Sequence, residues 1–206
     1  MNPKLTLRYM RPGDIPQVVA IDNESFNPPW SARSYAYEVS ESSYSHMVVL
    51  ENGPTEAPVN GWRRWLQSWV RPRGLVVGYG GLWYIAGEGH ISTIATHPDH
   101  RGLGYGEILL AAMIQRAITL QAEYIVLEVR VTNTIAQNLY RKYEFEIFGT
   151  KPNYYRLDNE DAYDMRLDLT DKAMIARFKR RFAAIRAQQP FIDLYSEVPS
   201  PKRKPN

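Results

Sequence analysis

Cysteine is absent from the 206-residue chain. Disulfide bonds, thiolate metal sites and a cysteine nucleophile are therefore excluded, so any acyl transfer must be direct or must use another residue type. Long apolar runs are missing too, because none reaches the roughly 18 residues of a membrane span. The N-terminal MNPKLTLRYMRPGD lacks the apolar core of a signal peptide. We therefore expect no transmembrane segment and a cytoplasmic protein.

Two common nucleotide-binding motifs are also missing. In HPDHRGLGYGEILLAAM, residues 97–113, no Lys-Ser or Lys-Thr follows the glycines, as a P-loop would require. The G-x-G-x-G spacing also differs from the G-x-G-x-x-G of dinucleotide-binding folds. The four histidines, His46, His90, His97 and His100, lack the spacing of metal ligands, so we expect no metal.

Three glycines at alternate positions are present instead, directly before an apolar segment with helical spacing: Gly102, Gly104 and Gly106. Glycine permits positive φ and a close approach of a ligand to the main chain. The start of the following helix offers unpaired N–H groups and a partial positive charge. The sequence therefore predicts an anion-binding turn here. A tight strand-to-helix turn without a ligand is the alternative.

Positive charge is concentrated at the C-terminal end of the chain. Residues 171–206 carry nine Lys and Arg against three Asp and Glu, whereas residues 1–170 carry sixteen against nineteen. An apolar stripe in this segment opposes an arginine face and predicts an amphipathic helix: Met174, Phe178, Phe182 and Ile185 against Arg177, Arg180 and Arg181. We therefore predict one domain over residues 1–170, followed by a basic helix and a disordered tail over residues 171–206.

The remaining patterns predict the architecture of that domain. LVVGYGGLWYI and GHISTIATHP read as adjacent strands, and YIVLEVRV alternates so that Glu128 lies mid-strand on the face opposite Leu127. TNTIAQNLYRKYEF is a helix capped by Thr132 or Asn133, and two further strands follow. We predict an α/β (α+β) fold with a mostly antiparallel mixed sheet flanked by helices. An insertion over residues 51–74 interrupts it and contains Trp62, Trp65 and Trp69 at helical spacing.

Three blocks occur in a familiar order: TIATHPDHRGLGYGEILL, LEVRVTNTIAQNLYRKYEF and NYYRLDNEDAYDMRLDL. They closely resemble the GNAT acetyltransferase superfamily, and within it the RimI-type branch of protein N-α-acetyltransferases. ESFNPPWS resembles the helix-loop-helix segment of that branch. The likeness covers most of residues 4–169, apart from the insertion, and implies a GNAT fold and acetyl-CoA-dependent N-acetylation. One departure is Glu144, where relatives usually have glycine.

The resemblance implies a binding site for acetyl-CoA. Arg101, Gly104 and Gly106 meet the superfamily pattern R/Q-x-x-G-x-G/A, whose loop wraps the pyrophosphate of coenzyme A in relatives. The strand before the glycine turn is expected to run beside the pantetheine arm. Asn133, at the start of the helix TNTIAQNLYRKYEF, is expected to contact the cofactor. The expected cofactor residues are Ile94, Ala95, Thr96, Arg101, Gly102, Leu103, Gly104, Tyr105, Gly106, Glu107 and Asn133.

The same resemblance assigns Glu128 as general base and Tyr140 as general acid. Burial would raise the pKa of Glu128, which suits a base that works near neutral pH. An ion pair with Arg130 on the same strand face is the alternative for Glu128. The aromatic residues expected to flank an acceptor peptide are Phe26, Trp30, Tyr154 and Tyr155, although packing against the core is the alternative for Trp30.

Three functions remain open on the sequence. The first is direct acetyl transfer, in a ternary complex, to the N-terminal α-amine of a protein of the ribosomal type. An α-amine with a pKa of about 7.7–8.0 is easier to deprotonate than lysine at about 10.4. Acetylation of a lysine or a small amine is the second, and a non-catalytic acyl-CoA-binding module is the third. Two interpretations of the basic C-terminal segment remain open: it contacts the ribosome, another acidic partner or a membrane surface, or it packs on its own domain or stays mobile.

Overall fold

The computed structural model describes residues 5–53 and 74–201. Within these ranges the strands are β1 Leu5–Tyr9, β2 Ser45–Asn52, β3 Leu75–Ile85, β4 Glu88–Thr96, β5 Tyr124–Arg130, β6 Glu146–Tyr155, β7 Glu160–Asp168 and β8 Phe191–Leu194. The α-helices there are α1 Ile15–Asn23, α2 Ala32–Ser40, α3 Tyr105–Thr119, α4 Thr134–Lys142 and α5 Lys172–Gln188. Short 3-10 helices cover Pro12–Asp14 and Pro98–His100.

The strands form one open sheet in the order β6-β7-β5-β4-β3-β2-β1-β8. The β4–β5 and β1–β8 pairs are parallel, and the other five pairs are antiparallel. The predicted mixed, mostly antiparallel sheet flanked by helices is thus confirmed. The predicted segment with Trp62, Trp65 and Trp69 lies outside the described residues.

Helices cover both faces of the sheet. Along β2, Val48 and Leu50 belong to the apolar cluster that includes α3, whereas Met47 and Val49 belong to the cluster under α1 and α2. Alternate residues of a strand point to opposite faces, so the two clusters are separated by the sheet. Helix α3 is buried along most of its length and packs on β3 and β4. The face of β5 opposite this core therefore carries Glu128, as the alternation predicts.

Strands β4 and β5 separate partway along their length. They pair over three positions, of which His90↔Val126 is the last toward the carboxyl ends. On its other side β4 pairs with β3, and Ser92 is an extra residue between the pairs Leu82↔Ile91 and Gly81↔Thr93. Such a β-bulge bends and twists the strand that carries it. A cleft therefore opens between the second halves of β4 and β5, and the glycine turn follows directly after β4.

The segment after helix α5 differs from the disordered tail that the sequence predicts. Phe191–Leu194 forms β8, which adds to the sheet parallel to β1 with Phe191 opposite Leu5. The buried Tyr195 then donates a hydrogen bond from its hydroxyl to the carbonyl of His46 at 2.9 Å. A strand of four residues is too short for its periodicity to be recognised, and its partner is an edge that the sequence does not reveal. The domain boundary at residue 170 stays a prediction.

Glu144 adopts the conformation that a glycine would favour. Its φ is +67°, and its carboxylate accepts two hydrogen bonds from Arg177 of α5, at 2.9 and 2.7 Å. A left-handed backbone costs free energy in a residue with a side chain, and the paired interaction with α5 offsets part of that cost. The departure from the family pattern is thus accompanied by a contact with α5, which follows the residues that carry the resemblance.

Candidate active site

The glycine turn at the end of the cleft presents unpaired backbone donors. Gly102 and Gly104 both have left-handed backbones, with φ of +76° and +80°. Within the part of the chain that the structure describes, none of the N–H groups of residues 102–106 donates a hydrogen bond. A β-carbon at Gly102 would meet no atom within 4 Å, so the turn is open on that side. Several N–H groups together with the positive end of α3 suit a pyrophosphate.

Several predicted cofactor residues use their side chains within the fold. The ring of Tyr105 is buried and stacks on His100 with centroids 6.3 Å apart, and Glu107 pairs with Lys142 at 2.6 Å. Asn133 caps α4 by accepting a hydrogen bond from Ala136 at 3.1 Å. For these residues any cofactor contact would fall mainly to the backbone, and it stays a prediction.

The remaining predicted cofactor positions border the cleft. Ile94, Ala95 and Thr96 lie on the part of β4 that has left β5, while their pairing with β3 is intact. Arg101 is exposed and donates to the hydroxyl of Ser25 at 3.3 Å, so it holds the turn near the loop after α1. Leu103 is also exposed. Backbone groups of the separated part of β4 could therefore bind an extended ligand as a further strand would.

Glu128 lies in the cleft between a histidine and a lysine. Its Oε2 is 2.8 Å from Nε2 of His90 on β4, and its Oε1 is 2.5 Å from Nζ of Lys151 on β6. Lys151 also contacts Asp164 at 3.2 Å. The alternative interpretation, an ion pair of Glu128 with Arg130, is not found, because Arg130 pairs with Asp158 and Glu160 instead, at 2.6 and 2.7 Å. Glu128 is thus the centre of a hydrogen-bonded group joining three strands.

The pKa of Glu128 is opposite in direction to the sequence expectation. Burial alone would raise it, but the hydrogen bonds and charges of His90 and Lys151 outweigh burial and lower the pKa to about 2. The carboxylate is therefore ionised throughout the neutral range. A base with so low a pKa accepts a proton from an ammonium group only weakly. The adjacent imidazole of His90 is therefore a second candidate for the proton acceptor.

Tyr140 is buried on α4 near the same hairpin. Burial and the neighbouring Tyr155 raise the pKa of its phenol above the ordinary value. None of the hydrogen bonds among the described residues involves its hydroxyl. Glu128 in turn contributes to raising the pKa of Tyr155, so the three residues share one electrostatic neighbourhood. A phenol that keeps its proton and lacks a partner is available as a donor.

The paired tyrosines form one side of the cleft mouth. Tyr154 and Tyr155 contact edge to face with centroids 5.2 Å apart, and the guanidinium of Arg130 lies 3.9 Å from the ring centre of Tyr155. Arg130 also donates to the carbonyl of Asn27 at 3.4 Å, which brings the loop after α1 to the same place. Phe26 precedes it in that loop and is 38% exposed. The predicted aromatic positions on loop and hairpin are thus brought together.

Trp30 packs into the fold as the alternative interpretation expected. Its ring stacks on Trp83 at 6.1 Å and lies 5.4 Å from Tyr35. Its backbone N–H donates to the buried carboxylate of Asp22, which also accepts from the hydroxyls of Tyr35 and Tyr79. Trp30 therefore fixes the loop that carries Phe26, and direct contact with a substrate stays a prediction.

Sequence reasoning did not identify His90 or Lys151 as partners of Glu128. They precede and follow it by 38 and 23 residues, and only strand pairing makes them neighbours. The signal that existed was weak. His90 lies on a predicted strand, but the sequence does not show that this strand pairs with β5, and a bulge shifts which side chains of β4 share a face.

Replacing Lys151 with methionine is expected to raise the pKa of Glu128, because it removes one hydrogen bond and one positive charge. In the wild type, the lowered pKa contributes stability above pH 4.5 that is lost as the pH falls toward 2. The variant should lose less stability over this acidic range. Urea unfolding at several acidic pH values measures the slope, and an unchanged slope would contradict the assignment.

Residues 5–53 and 74–201 contain no cluster of three His, Asp or Glu side chains that could hold a metal ion. No helix of that part of the chain is long and apolar enough to cross a membrane.

Comparison with known proteins places this chain in a family. The profile described as the Acetyltransferase (GNAT) family matches residues 15–145. A Bacillus subtilis protein provisionally named ribosomal protein bS18-alanine N-acetyltransferase is 33% identical over 165 residues, which are 80% of this chain and 96% of that protein.

Many solved structures share the fold. The ribosomal-protein-S18-alanine N-acetyltransferase of Escherichia coli superposes with a TM-score of 0.63 at 23% identity, over 81% of this chain and 95% of that chain. A chain of the NatC complex bound to Gag peptide and CoA gives 0.61 at 18% identity, over 81% and 99%. The chain therefore belongs to the GNAT acetyltransferase family, in its RimI-type branch, and is an N-acetyltransferase.

Proposed function

We propose that the protein transfers the acetyl group of acetyl-CoA to the N-terminal α-amine of a protein or peptide, by direct attack while both substrates are bound. The observation that carries the proposal is the group of Glu128 and His90, which lies where β4 and β5 separate, near a buried tyrosine hydroxyl. A proton acceptor and a proton donor are the two groups that this reaction needs from the protein.

Acetyl-CoA fits the residues present. The unpaired N–H groups of residues 102–106 would hold its pyrophosphate, and the separated part of β4 would hold the extended pantetheine arm. When bound, acetyl-CoA supplies the acetyl group as a thioester. Arg101 is exposed beside the turn and is the side chain best placed to add a positive charge.

We assign the proton transfers to three side chains. The attacking amine must lose a proton as its nitrogen bonds to the acetyl carbon. We assign its acceptance to His90, with the ionised Glu128 orienting the imidazole and stabilising its charged form, as carboxylates do in other histidine dyads. Tyr140 would donate its proton to the departing sulfur as the carbon–sulfur bond breaks, because its hydroxyl is protonated at neutral pH. No covalent acetyl-enzyme is required.

The preference for an α-amine rests on chemistry and on relatives. An α-amine has a pKa of about 7.7–8.0 against about 10.4 for lysine, so a larger fraction is unprotonated at neutral pH. The Bacillus subtilis and Escherichia coli proteins are both named for acetylating the alanine of a ribosomal protein. The exposed Phe26 and Tyr154 offer apolar contacts for the first residues of a peptide.

A peptide panel tests the proposed function. Peptides that differ in the first residue, each with an internal lysine, would be incubated with acetyl-CoA in free and N-blocked forms. We expect mass spectrometry to locate acetyl groups on free N-termini alone, and blocking to abolish turnover. Acetylation of lysines in blocked peptides would favour the lysine or small-amine alternative. Binding of acetyl-CoA without any turnover would favour the non-catalytic module.

Two further expectations belong to this proposal. A cytoplasmic location is consistent with the named substrates of relatives. Contact of the basic C-terminal segment with a ribosome or an acidic partner also stays a prediction. Several of its arginines already interact within the fold, since Arg177 binds Glu144 and Arg181 lies 5.5 Å from the ring centre of Tyr143.

A further inference from the structure

The imidazole of His90 lies between side chains of the two strands that flank β4. Its Nε2 is 2.8 Å from Oε2 of Glu128 on β5. On β3, Trp83 is directly opposite His90 in the strand pairing, and the two rings meet at 87° with centroids 5.4 Å apart. Such edge-to-face contacts are a preferred arrangement of aromatic rings. The orientation of the imidazole is therefore held by one hydrogen bond and one ring contact.

The hydrogen bond to Glu128 decides which imidazole nitrogen carries hydrogen. Because Glu128 is ionised, its oxygen can only accept, so Nε2 of His90 must be the donor. A neutral imidazole has one N–H, which leaves Nδ1 as an acceptor. None of the hydrogen bonds among the described residues uses this Nδ1, and the side chain of His90 is 24% exposed. Nδ1 is thus available to accept a proton from a substrate.

The ring of Trp83 is itself fixed by residues of α2 and of the loop after α1. Its Nε1–H donates a hydrogen bond to Oε2 of the buried Glu38 on α2 at 3.0 Å. Its ring also stacks on Trp30, whose backbone N–H donates to the buried carboxylate of Asp22. Trp83 therefore connects this loop and α2 with the imidazole of His90.

Rotation of the imidazole would remove the accepting atom from the cleft. A half-turn about the Cβ–Cγ bond of His90 exchanges each ring nitrogen with a ring carbon. Glu128 would then face Cε1, and Cδ2 would take the place of Nδ1. A ring packed against the imidazole opposes that rotation, as contacts that lock the rotamer of a functional side chain do. The contact with Trp83 therefore bears on proton transfer as well as on packing.

We propose that Trp83, fixed by Glu38, is a positioning residue that keeps Nδ1 of His90 directed at the attacking amine. The inference rests on the proposed function, which assigns the amine proton to His90. As the amine nitrogen bonds to the acetyl carbon, its proton passes to Nδ1. The electron pair of the carbon–sulfur bond leaves with the sulfur, which takes the proton of Tyr140. His90 then loses its proton to solvent and Tyr140 regains one, while Trp83 acts only through the imidazole.

Heteronuclear NMR with isotope-labelled histidine tests the tautomer without reference to turnover. At alkaline pH we expect the neutral imidazole of His90, assigned by the loss of its signals in His90→Gln, to carry hydrogen on Nε2. In Trp83→Leu these signals should change to those of a mixture of both tautomers. A wild-type imidazole that carries hydrogen on Nδ1 would overturn the assignment of the accepting atom.

Steady-state rates with a free N-terminal peptide test the role of Trp83. Trp83→Leu should lower kcat by about 10- to 100-fold, because misplacing a reacting group costs up to about 10²-fold, while KM for acetyl-CoA should be unchanged. Trp83→Phe keeps a ring against His90 and should restore most of the rate. The control Phe148→Leu changes an aromatic residue of the same sheet that is 75% exposed, and it should keep wild-type kcat.

A second pair of variants separates positioning from folding. If circular dichroism shows that Trp83→Leu is unfolded, Glu38→Leu, which leaves the indole N–H without its acceptor, is compared with Glu38→Gln, which keeps an acceptor oxygen. We expect kcat to fall in Glu38→Leu and to be largely retained in Glu38→Gln. Wild-type kcat in a folded Trp83→Leu, or equal kcat in the two Glu38 variants, would overturn the inference. Failure of the wild type to acetylate any amine would overturn the proposed function instead, whichever tautomer the spectrum shows.

Discussion

Replacing Glu128 with glutamine is expected to lower kcat by about 10²- to 10⁴-fold, because a general base that has lost the carboxylate orienting it loses most of its contribution. Glutamine keeps the size of the side chain but removes the negative charge that orients and stabilises His90 at 2.8 Å. It also removes the negative charge that faces the ammonium of Lys151 at 2.5 Å. Steady-state rates with a free N-terminal peptide, over a range of pH, measure the effect.

Two controls accompany this variant. Glu146→Gln changes an exposed carboxylate on β6 and should keep wild-type kcat. His90→Gln should lower kcat at least as far as Glu128→Gln does, because we assign to His90 the acceptance of the amine proton, whereas Glu128 acts on that imidazole. If Glu128→Gln retained wild-type kcat and only KM changed, the carboxylate would bind the substrate ammonium and would have no part in proton transfer.

Deleting residues 171–206 is expected to abolish folding. The deletion removes buried Met174, Phe178 and Phe182 of α5, the strand β8 and the fully buried Tyr195. Truncation of one buried Phe costs about 3–5 kcal/mol. Because total stabilities are about 5–15 kcal/mol, losing this set exceeds what a domain can tolerate. Circular dichroism and soluble yield measure the outcome.

Single substitutions test how much individual residues of the C-terminal segment contribute to stability. Phe182→Ala should lower the free energy of unfolding by about 3–5 kcal/mol, and Tyr195→Phe should lower it by about 1 kcal/mol because it loses the hydrogen bond to the carbonyl of His46. Arg180→Ala, at an exposed position of α5, should have little effect. A truncated protein that melts at the wild-type temperature would show that the C-terminal segment is dispensable for the fold.

The sequence predicted the parts of the site that depend on local pattern. The glycine turn needs positive φ at Gly102 and Gly104, and both residues have it. The alternation in YIVLEVR puts Glu128 on the face opposite the α3 core, as the structure shows. These predictions succeed because turn chemistry and strand periodicity are properties of neighbouring residues.

The electrostatic environment of Glu128 was not predictable in the same way. The expectation of a raised pKa considered burial, which does act in that direction. It omitted Lys151 and His90, whose distances of 2.5 and 2.8 Å follow from the pairing of β5 with β7, of β7 with β6, and from the last point of contact between β4 and β5. The pKa of a side chain depends on its interactions with every group nearby in space, so it cannot be predicted from the sequence of one strand.

By itself, the sequence determined the fold class, the glycine turn before α3, the strand face that carries Glu128 and the resemblance to GNAT acetyltransferases. Each of these depends on the spacing of residues that are close together in the chain. Only the tertiary structure decided which side chains form hydrogen bonds with Glu128 and where β4 separates from β5. The structure also decided that the C-terminal segment adds β8 to the sheet. It also decided that Glu144 meets Arg177 and that Gln189 lies beside Gly104. The physical reason is that pairing register and helix packing bring together residues that are remote in the chain, and these contacts set the charge and shape of the site.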